Sequence, residues 1–147
     1  MKCSILMAFN DSSSSRSALK SLINIPINPE QTTVTLVHIL RKPTGSEEMM
    51  GKKFMKEASE RFSRAIENAR HELLTAGFLS ENIHIQLIDK PYPTVADGII
   101  DLFSKGEFNL VVIGRKKMSK AEEFVLGDPS VRLVRALEGT AVMVVKQ

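Results

Sequence analysis

A loop with the outline of a phosphate-binding site follows the apolar segment 110–113 (Leu-Val-Val-Ile). Gly114 comes directly after that segment, and Gly127 stands just before Asp128-Pro129-Ser130, where a helix is expected to begin. A glycine-rich turn that leaves a buried strand and enters a helix presents free backbone amides, which attract anions. The pattern therefore predicts a loop with the shape to hold the phosphates of a nucleotide.

Three residues of this loop oppose that chemistry. Asp128 is placed to cap the final helix, and its carboxylate would occupy the amides that a phosphate needs. Its charge repels a polyphosphate at ~4–6 Å by about 1–4 kcal/mol per unit charge. Pro129 has no N–H to donate, and Lys117 adds a side chain where close backbone approach is wanted, although its ammonium could offset part of the repulsion. We expect weak or no ATP binding here.

The segments that position this loop alternate between strand-like and helix-like patterns. Strands are predicted at 3–9, 33–40, 83–88, 110–113 and 141–145, and helices at 12–25, 47–76, 94–106 and 129–138. This order predicts an α/β fold in a single domain over 1–147, a doubly wound parallel sheet with helices on both faces. Strand 83–88 alternates apolar with polar residues, which is typical of a sheet edge with one wet face.

Ligands of such sheets bind beyond the carboxyl ends of the strands. The segments to consider are therefore 9–15, 40–45, 89–94 and 114–130. Helix-end signals support these boundaries: Ser12 or Ser13 can cap the first helix, Thr94 and Asp97 form a capping box, and Gly77 suits the left-handed position after helix 47–76. The predicted buried stripe of that helix is Phe54, Ala58, Phe62, Ala65, Ile66, Ala69 and Leu73.

Composition narrows the function classes. Lys and Arg number 20 against 17 Asp and Glu, a net charge of +3 that is too small and too dispersed to indicate nucleic-acid binding. Cys3 is the sole cysteine, which fits a reducing cytosol, and three scattered histidines predict no metal cluster. No apolar run approaches the ~18 residues of a membrane span, and we expect no signal peptide. The expected location is cytoplasmic.

Several segments resemble the universal stress protein family. The apolar run 5–9 ends in Asn10-Asp11-Ser12 and is followed by Ser15, Ala18 and Leu19, which is similar to the opening strand, turn and helix of that family. Segments 36–39 and 109–114 resemble its second and fourth strands, and 114–145 its signature loop, last helix and last strand. The resemblance covers the whole chain. It implies a five-stranded sheet of order 3-2-1-4-5, of the adenine-nucleotide alpha-hydrolase-like type.

In the nucleotide-binding branch of that family the loop reads Gly-x2-Gly-x9-Gly-Ser/Thr. Gly114 and Gly127 match its first and third glycines, whereas Lys117 and Asp128 replace the second glycine and the hydroxyl residue. Asn10 stands where that branch usually has aspartate. The candidate nucleotide-binding residues that the resemblance implies are Ala8, Asn10, Ser12, Ile39, Gly114, Arg115, Lys117, Gly127, Asp128 and Ser130.

Two functions remain open from the sequence. The preferred one is a non-enzymatic stress-response or signalling module that acts by homodimerisation and by binding a protein partner, with weak or no ATP binding. The family's usual dimer pairs the last strands of two subunits, which indicates Val142, Met143, Val144 and Val145 as the interface. The alternative is an ATP- or AMP-binding switch in which Lys117 and Arg115 replace glycine contacts, with slow hydrolysis left open. No catalytic residue and no bound metal are predicted.

Overall fold

The computed structural model describes residues 2–39, 45–90 and 92–147. Its strands are β1 (Cys3–Ala8), β2 (Thr32–Ile39), β3 (Ile83–Ile88), β4 (Leu110–Arg115) and β5 (Ala141–Lys146). Its helices are α1 (Ser13–Asn24), α2 (Gly45–Met49), α3 (Gly51–Thr75), α4 (Val95–Lys105), α5 (Lys120–Leu126) and α6 (Pro129–Ala136). Positions 40–44 and 91 of the predicted ligand-binding segments lie outside the described residues.

The five strands form one parallel sheet in the order β3-β2-β1-β4-β5, which confirms the predicted fold class. β1 is central, and alternate residues of it enter two separate cores. Ile5 and Met7 pack with residues of α1 and α3, whereas Leu6 packs with residues of α4 and α6. The sheet is therefore covered by helices on both faces.

The predicted helix ends are confirmed by hydrogen bonds that backbone amides donate. Ser12 Oγ accepts from Ser15 N at 3.2 Å, and Thr94 Oγ1 accepts from Asp97 N at 3.2 Å, so both residues cap their helices. Gly77 has a φ of +99°, and the next amide, Phe78 N, donates to Leu73 O at 3.1 Å. These contacts fix where α1, α3 and α4 begin or end.

The prediction of one continuous helix over 47–76 is wrong, because the structure has two helices there. Gly51 lies between α2 and the rest of α3 with a φ of +83°, a conformation that interrupts an α-helix. The predicted stripe enters the core only from Phe62 onward, and Phe54 and Ala58 are half-buried outside it. Helix α3 therefore covers the sheet with its second half.

Three other expectations need correction. Strand β4 continues through Gly114 and Arg115, which were assigned to the loop, because both residues pair with β5. Helix α5 was not predicted, and the final helix ends at Ala136 rather than 138. The alternation in strand 83–88 predicts Leu87 on the dry face of β3, but Leu87 is 59% exposed and belongs to neither core.

Candidate functional site

A cavity of about 180 Å³ opens at the carboxyl ends of β1, β2 and β4. It has apolar walls and a rim of hydroxyl and amide groups. Its lining consists of Ala8, Phe9, Asn10, Ser12, Ser14, Ser15, Val37, His38, Ile39, Val95, Ile113, Gly114 and Pro129. The cavity thus lies at the edge where ligands of doubly wound sheets bind.

The turn after β1 forms one side of this cavity and is held by its own hydrogen bonds. Asn10 Oδ1 accepts from Ser12 N and from Ser15 Oγ, both at 2.9 Å, while Ser15 Oγ accepts from Asn10 N at 3.2 Å. Ser12 Oγ lies 3.0 Å from Ser14 Oγ. Asn10 is therefore a turn-forming residue whose amide oxygen is fully engaged, as is common for asparagine at such positions.

His38 forms another wall, on β2. Its ring stacks on Phe62 with 4.0 Å between centroids, and its Nδ1 lies 3.2 Å from Phe9 O. Burial lowers the pKa of His38, and the hydrogen bond to Phe9 together with the nearby Asp11 offsets only part of that effect. Because a carbonyl only accepts, Nδ1 must carry the proton in this contact. The neutral ring then has Nε2 as an acceptor.

Gly114, the first glycine of the loop, contacts protein rather than open space. A Cβ at this position would lie 2.2 Å from Ser14 O and 2.6 Å from Ser14 C. The first turn of α1 therefore approaches β4 so closely that only glycine fits. Packing alone explains this glycine, although the residue also lines the cavity.

Asp128 caps α6, as its position in the sequence predicts. Its Oδ1 accepts from Ser130 N at 3.0 Å and from Ser130 Oγ at 2.6 Å. Its Oδ2 accepts from Arg115 Nε at 2.8 Å, and Arg115 Nη2 donates to Glu123 Oε1 at 2.7 Å. Burial by itself raises the pKa of Asp128, but the hydrogen bonds from Ser130 and Arg115 outweigh it and lower the pKa below its usual range. The carboxylate is therefore charged and fully paired.

The structure divides the candidate residues into two groups. Ala8, Asn10, Ser12, Ile39 and Gly114 line the cavity. The others, Arg115, Lys117, Gly127, Asp128 and Ser130, lie outside that lining. In the alternative function Arg115 replaces a glycine contact to a phosphate, but its guanidinium binds the two carboxylates described above.

Two further loop residues, Gly127 and Lys117, form no side-chain hydrogen bond or ion pair among the described residues that would keep them from a ligand, unlike Asp128 and Arg115. Gly127 ends α5 with a φ of +73°, where glycine is favoured for conformation alone. Lys117 is exposed between β4 and α5 and has no ion pair within the described part of the chain. It is therefore a loop cation that remains available to an anion.

Two features of the site went unrecognised in the sequence. Helix α5 carries Glu123 to Arg115, and its start had a readable signal, because Ser119 Oγ accepts from Glu122 N at 3.2 Å in the capping-box spacing. Val95 and Ile113 complete the apolar wall, a contact that depends on the tertiary fold. In residues 2–39, 45–90 and 92–147, no cluster of His, Cys, Asp or Glu could hold a metal ion.

Comparisons with known proteins agree with this architecture. The sequence model of the universal stress protein family matches residues 3–146, so the chain belongs to that family. Among curated proteins, none matched the sequence. No helix in the part of the chain that the structure describes combines the length and apolarity needed to cross a bilayer.

Three solved structures illustrate the shared fold. A universal stress protein family protein from Arabidopsis thaliana with AMP bound is 17% identical, with a TM-score of 0.69 and coverage of 99% of this chain and 92% of the other. UspA from Lactobacillus plantarum is 13% identical, with a TM-score of 0.65 and 97% coverage of each chain. The universal stress protein from Archaeoglobus fulgidus in complex with dAMP is 15% identical, with a TM-score of 0.60 and coverage of 99% and 98%.

Proposed function

We propose that this chain is a non-enzymatic stress-response or signalling module that acts by homodimerisation and by binding a protein partner in the cytoplasm, with weak or no ATP binding. The observation that carries this proposal is the engagement of the α6 N-terminus by Asp128, which accepts from Ser130 N at 3.0 Å. An amide that already donates to a nearby carboxylate is not free to donate to a phosphate.

The charges around this cap strengthen the argument against a triphosphate. Pro129 at the start of α6 has no amide hydrogen, and the Asp128 carboxylate adds a negative charge at the same place. Arg115 pairs with both Asp128 and Glu123, so it is not free to pair with a phosphate, and only 27% of its side chain is exposed. A triphosphate would have to displace these contacts before binding.

The free edge of β5 supports dimerisation. Ala141 N donates to Asn109 O and Gln147 N donates to Arg115 O, so the odd-numbered amides of this strand point toward β4. The amides of Val142 and Val144 therefore point away from the sheet, because alternate residues face opposite sides. An unpaired row of donors and acceptors is a template for another strand, here the β5 of a second copy.

The positions of the nearest acidic residues argue against catalysis. Hydrolysis of ATP requires a Mg²⁺ ion held by a carboxylate and, in addition, an oriented water molecule. Asp128 is occupied by Ser130 and Arg115, and Asp11 lies 3.6 Å from Arg61 and lines a different cavity. We therefore assign no catalytic residue.

A second candidate function, binding of a nucleoside monophosphate such as AMP, is favoured by the cavity beside Ala8, Ile39 and Gly114. Its walls are apolar enough for a base, and its rim has hydroxyl groups. Relatives solved with AMP and with dAMP share this fold. A monophosphate would not need the amides at the start of α6.

Thermal unfolding with and without nucleotide distinguishes the two functions. Ligand at a hundred times its Kd adds ~2.7 kcal/mol of stability. Millimolar ATP with Mg²⁺ should leave the melting temperature unchanged, and a shift with AMP alone would favour the second candidate. The variant Lys117→Gly/Asp128→Ser/Pro129→Val restores the loop chemistry and should respond to ATP. A wild-type response equal to that of this variant would overturn the proposal.

A further inference from the structure

A second cavity, of about 260 Å³, lies between α1 and α3 on the opposite side of Phe9 from the cleft described above. Its floor is apolar and rigid, because Phe9, Leu19 and Ala69 are all buried in the core that the sheet forms with α1 and α3. Phe9 is the sole residue that lines both cavities within the described ranges. Apart from Phe9, the two cavities therefore have different linings.

Three arginines surround this floor, and their charges are incompletely matched. Arg61 Nε lies 3.6 Å from Asp11 Oδ2, which is longer than a good hydrogen bond, and Arg16 Nη1 donates to the backbone carbonyl of Asp11 at 2.5 Å. Arg64 has no hydrogen bond or ion pair to any residue in the described segments. The guanidinium groups of Arg61 and Arg64 thus keep N–H donors available to an anion.

The arrangement is fixed by one face of α3. Arg61, Arg64 and Asn68 recur at helical spacing along the cavity, and Glu72 follows one turn later. Glu72 also borders the next hollow along the same seam, where Ile23 and Ala76 lie among the polar residues Lys20, Asn24, His71 and Thr75. The seam between α1 and α3 therefore continues from the arginines to a hollow in which Ile23 and Ala76 offer apolar surface.

We propose that this seam binds a small anionic amphiphile, a molecule with a carboxylate or phosphate-ester head and an aliphatic chain. The guanidiniums of Arg61 and Arg64 hold the head, since arginine binds both groups through paired N–H donors. The chain lies on Phe9, Leu19 and Ala69 and extends toward Ile23. Asp11 and Glu72 limit the rim to three guanidiniums against two carboxylates, which suits a single head group better than a polyphosphate.

Calorimetric titration of the full chain with octanoate and with octyl phosphate, both below their micelle-forming concentrations, tests this site. Both should bind saturably, and the difference between them distinguishes the two kinds of head group. Arg61→Gln and Arg64→Gln should each weaken binding about three- to fivefold, the range expected for a partly exposed ion pair. Ala65 is a half-buried residue of the cavity lining, and Ala65→Leu fills part of the cavity without removing a charge. This variant should weaken the binding of both ligands.

Two controls make the result decisive. Arg135→Gln removes an exposed arginine of α6 and should leave the affinity unchanged. Octyltrimethylammonium, which has the same chain and the opposite charge, should not bind. Equal binding of the cation, no binding of either anion at millimolar concentration, or affinities unaffected by the Arg61 and Arg64 substitutions would each overturn the proposal.

Discussion

Arg115 donates from Nε to Asp128 Oδ2 at 2.8 Å, although 13 positions and the whole of α5 separate them in the chain. The same carboxylate accepts a hydrogen bond from Ser130 N. One side chain therefore both caps α6 and pairs with the positive charge of Arg115 at the end of β4. Only 9% of the Asp128 side chain is exposed. The loop is therefore closed by contacts within the protein at the place where a phosphate would otherwise be held.

Removing this carboxylate should destabilise the protein. Asp128→Ala loses the cap and leaves the Arg115 guanidinium with Glu123 as its remaining carboxylate, so we expect a loss of about 1–2 kcal/mol in the free energy of unfolding, as for other N-cap deletions. Urea denaturation followed by circular dichroism measures it. Glu107→Ala, at an exposed position, is the matched control and should change stability by less than about 0.5 kcal/mol. Equal effects would contradict the role assigned to Asp128.

His38 should make stability depend on pH. Its folded-state pKa is lowered, chiefly by burial, so the folded protein binds its proton less readily than the unfolded chain does. The stability that depends on a neutral His38 is therefore fully present above the unfolded-state pKa of about 6.5. It is lost as the pH falls below that value. Urea unfolding at pH 7.5 and 5.5 should show this loss in wild type and a smaller one in His38→Gln.

The control for that experiment is His84→Gln, which removes an exposed imidazole from β3. Because His38 is unchanged in this variant, the loss of stability between pH 7.5 and 5.5 should persist. An NMR titration gives an independent check, because the midpoint for the His38 ring should lie below about 6.5. A midpoint above that value would contradict the effect of burial described here.

Gly114 should tolerate no side chain. Alanine at this position places a Cβ 2.2 Å from Ser14 O, a backbone atom that cannot move without displacing α1. We expect Gly114→Ala to reduce stability by about 1–3 kcal/mol, as overpacked cores do. Gly45→Ala is the control, because a Cβ there meets no atom within 4 Å. If the two variants unfold at the same urea concentration, close packing does not explain this glycine.

The outward amide of Val144 gives a direct test of dimerisation through β5. A charged residue at position 143 would give an ambiguous result, because the Met143 side chain packs on the core between the sheet and helices α1 and α3. Val144→Pro instead removes an amide that points away from β4 and adds a ring that blocks strand pairing. Sedimentation should show monomers for Val144→Pro and dimers for Val144→Ala and wild type. A dimer that survives the proline would place the interface elsewhere.

Local signals in the sequence predicted much of this molecule. The caps at Ser12, Thr94 and Asp128 were correct because each depends on a side chain and an amide two or three residues apart. The alternation of elements predicted the parallel doubly wound sheet, and the family resemblance implied its strand order. Helix α5 was missed although Ser119 and Glu122 gave the same kind of signal.

Contacts between distant segments were not readable in the same way. The Arg115–Asp128 ion pair exists only because α5 folds back and brings β4 beside the start of α6. The reason for Gly114 is likewise tertiary, since Ser14 belongs to a helix at the other end of the chain. Gly114 matches the phosphate-loop pattern in the sequence and Arg115 is a cation of that loop, whereas the structure gives each a partner inside the protein.

The backbone amide of Ser130 reports most directly on whether the start of α6 is already occupied. Its ¹H–¹⁵N resonance can be followed while ATP with Mg²⁺ is added to millimolar concentration. The Asp128 cap predicts that this resonance stays in place in wild type and moves in the Lys117→Gly/Asp128→Ser/Pro129→Val variant. A saturable shift of the Ser130 amide in wild type would show that a phosphate displaces the carboxylate, and would contradict the account.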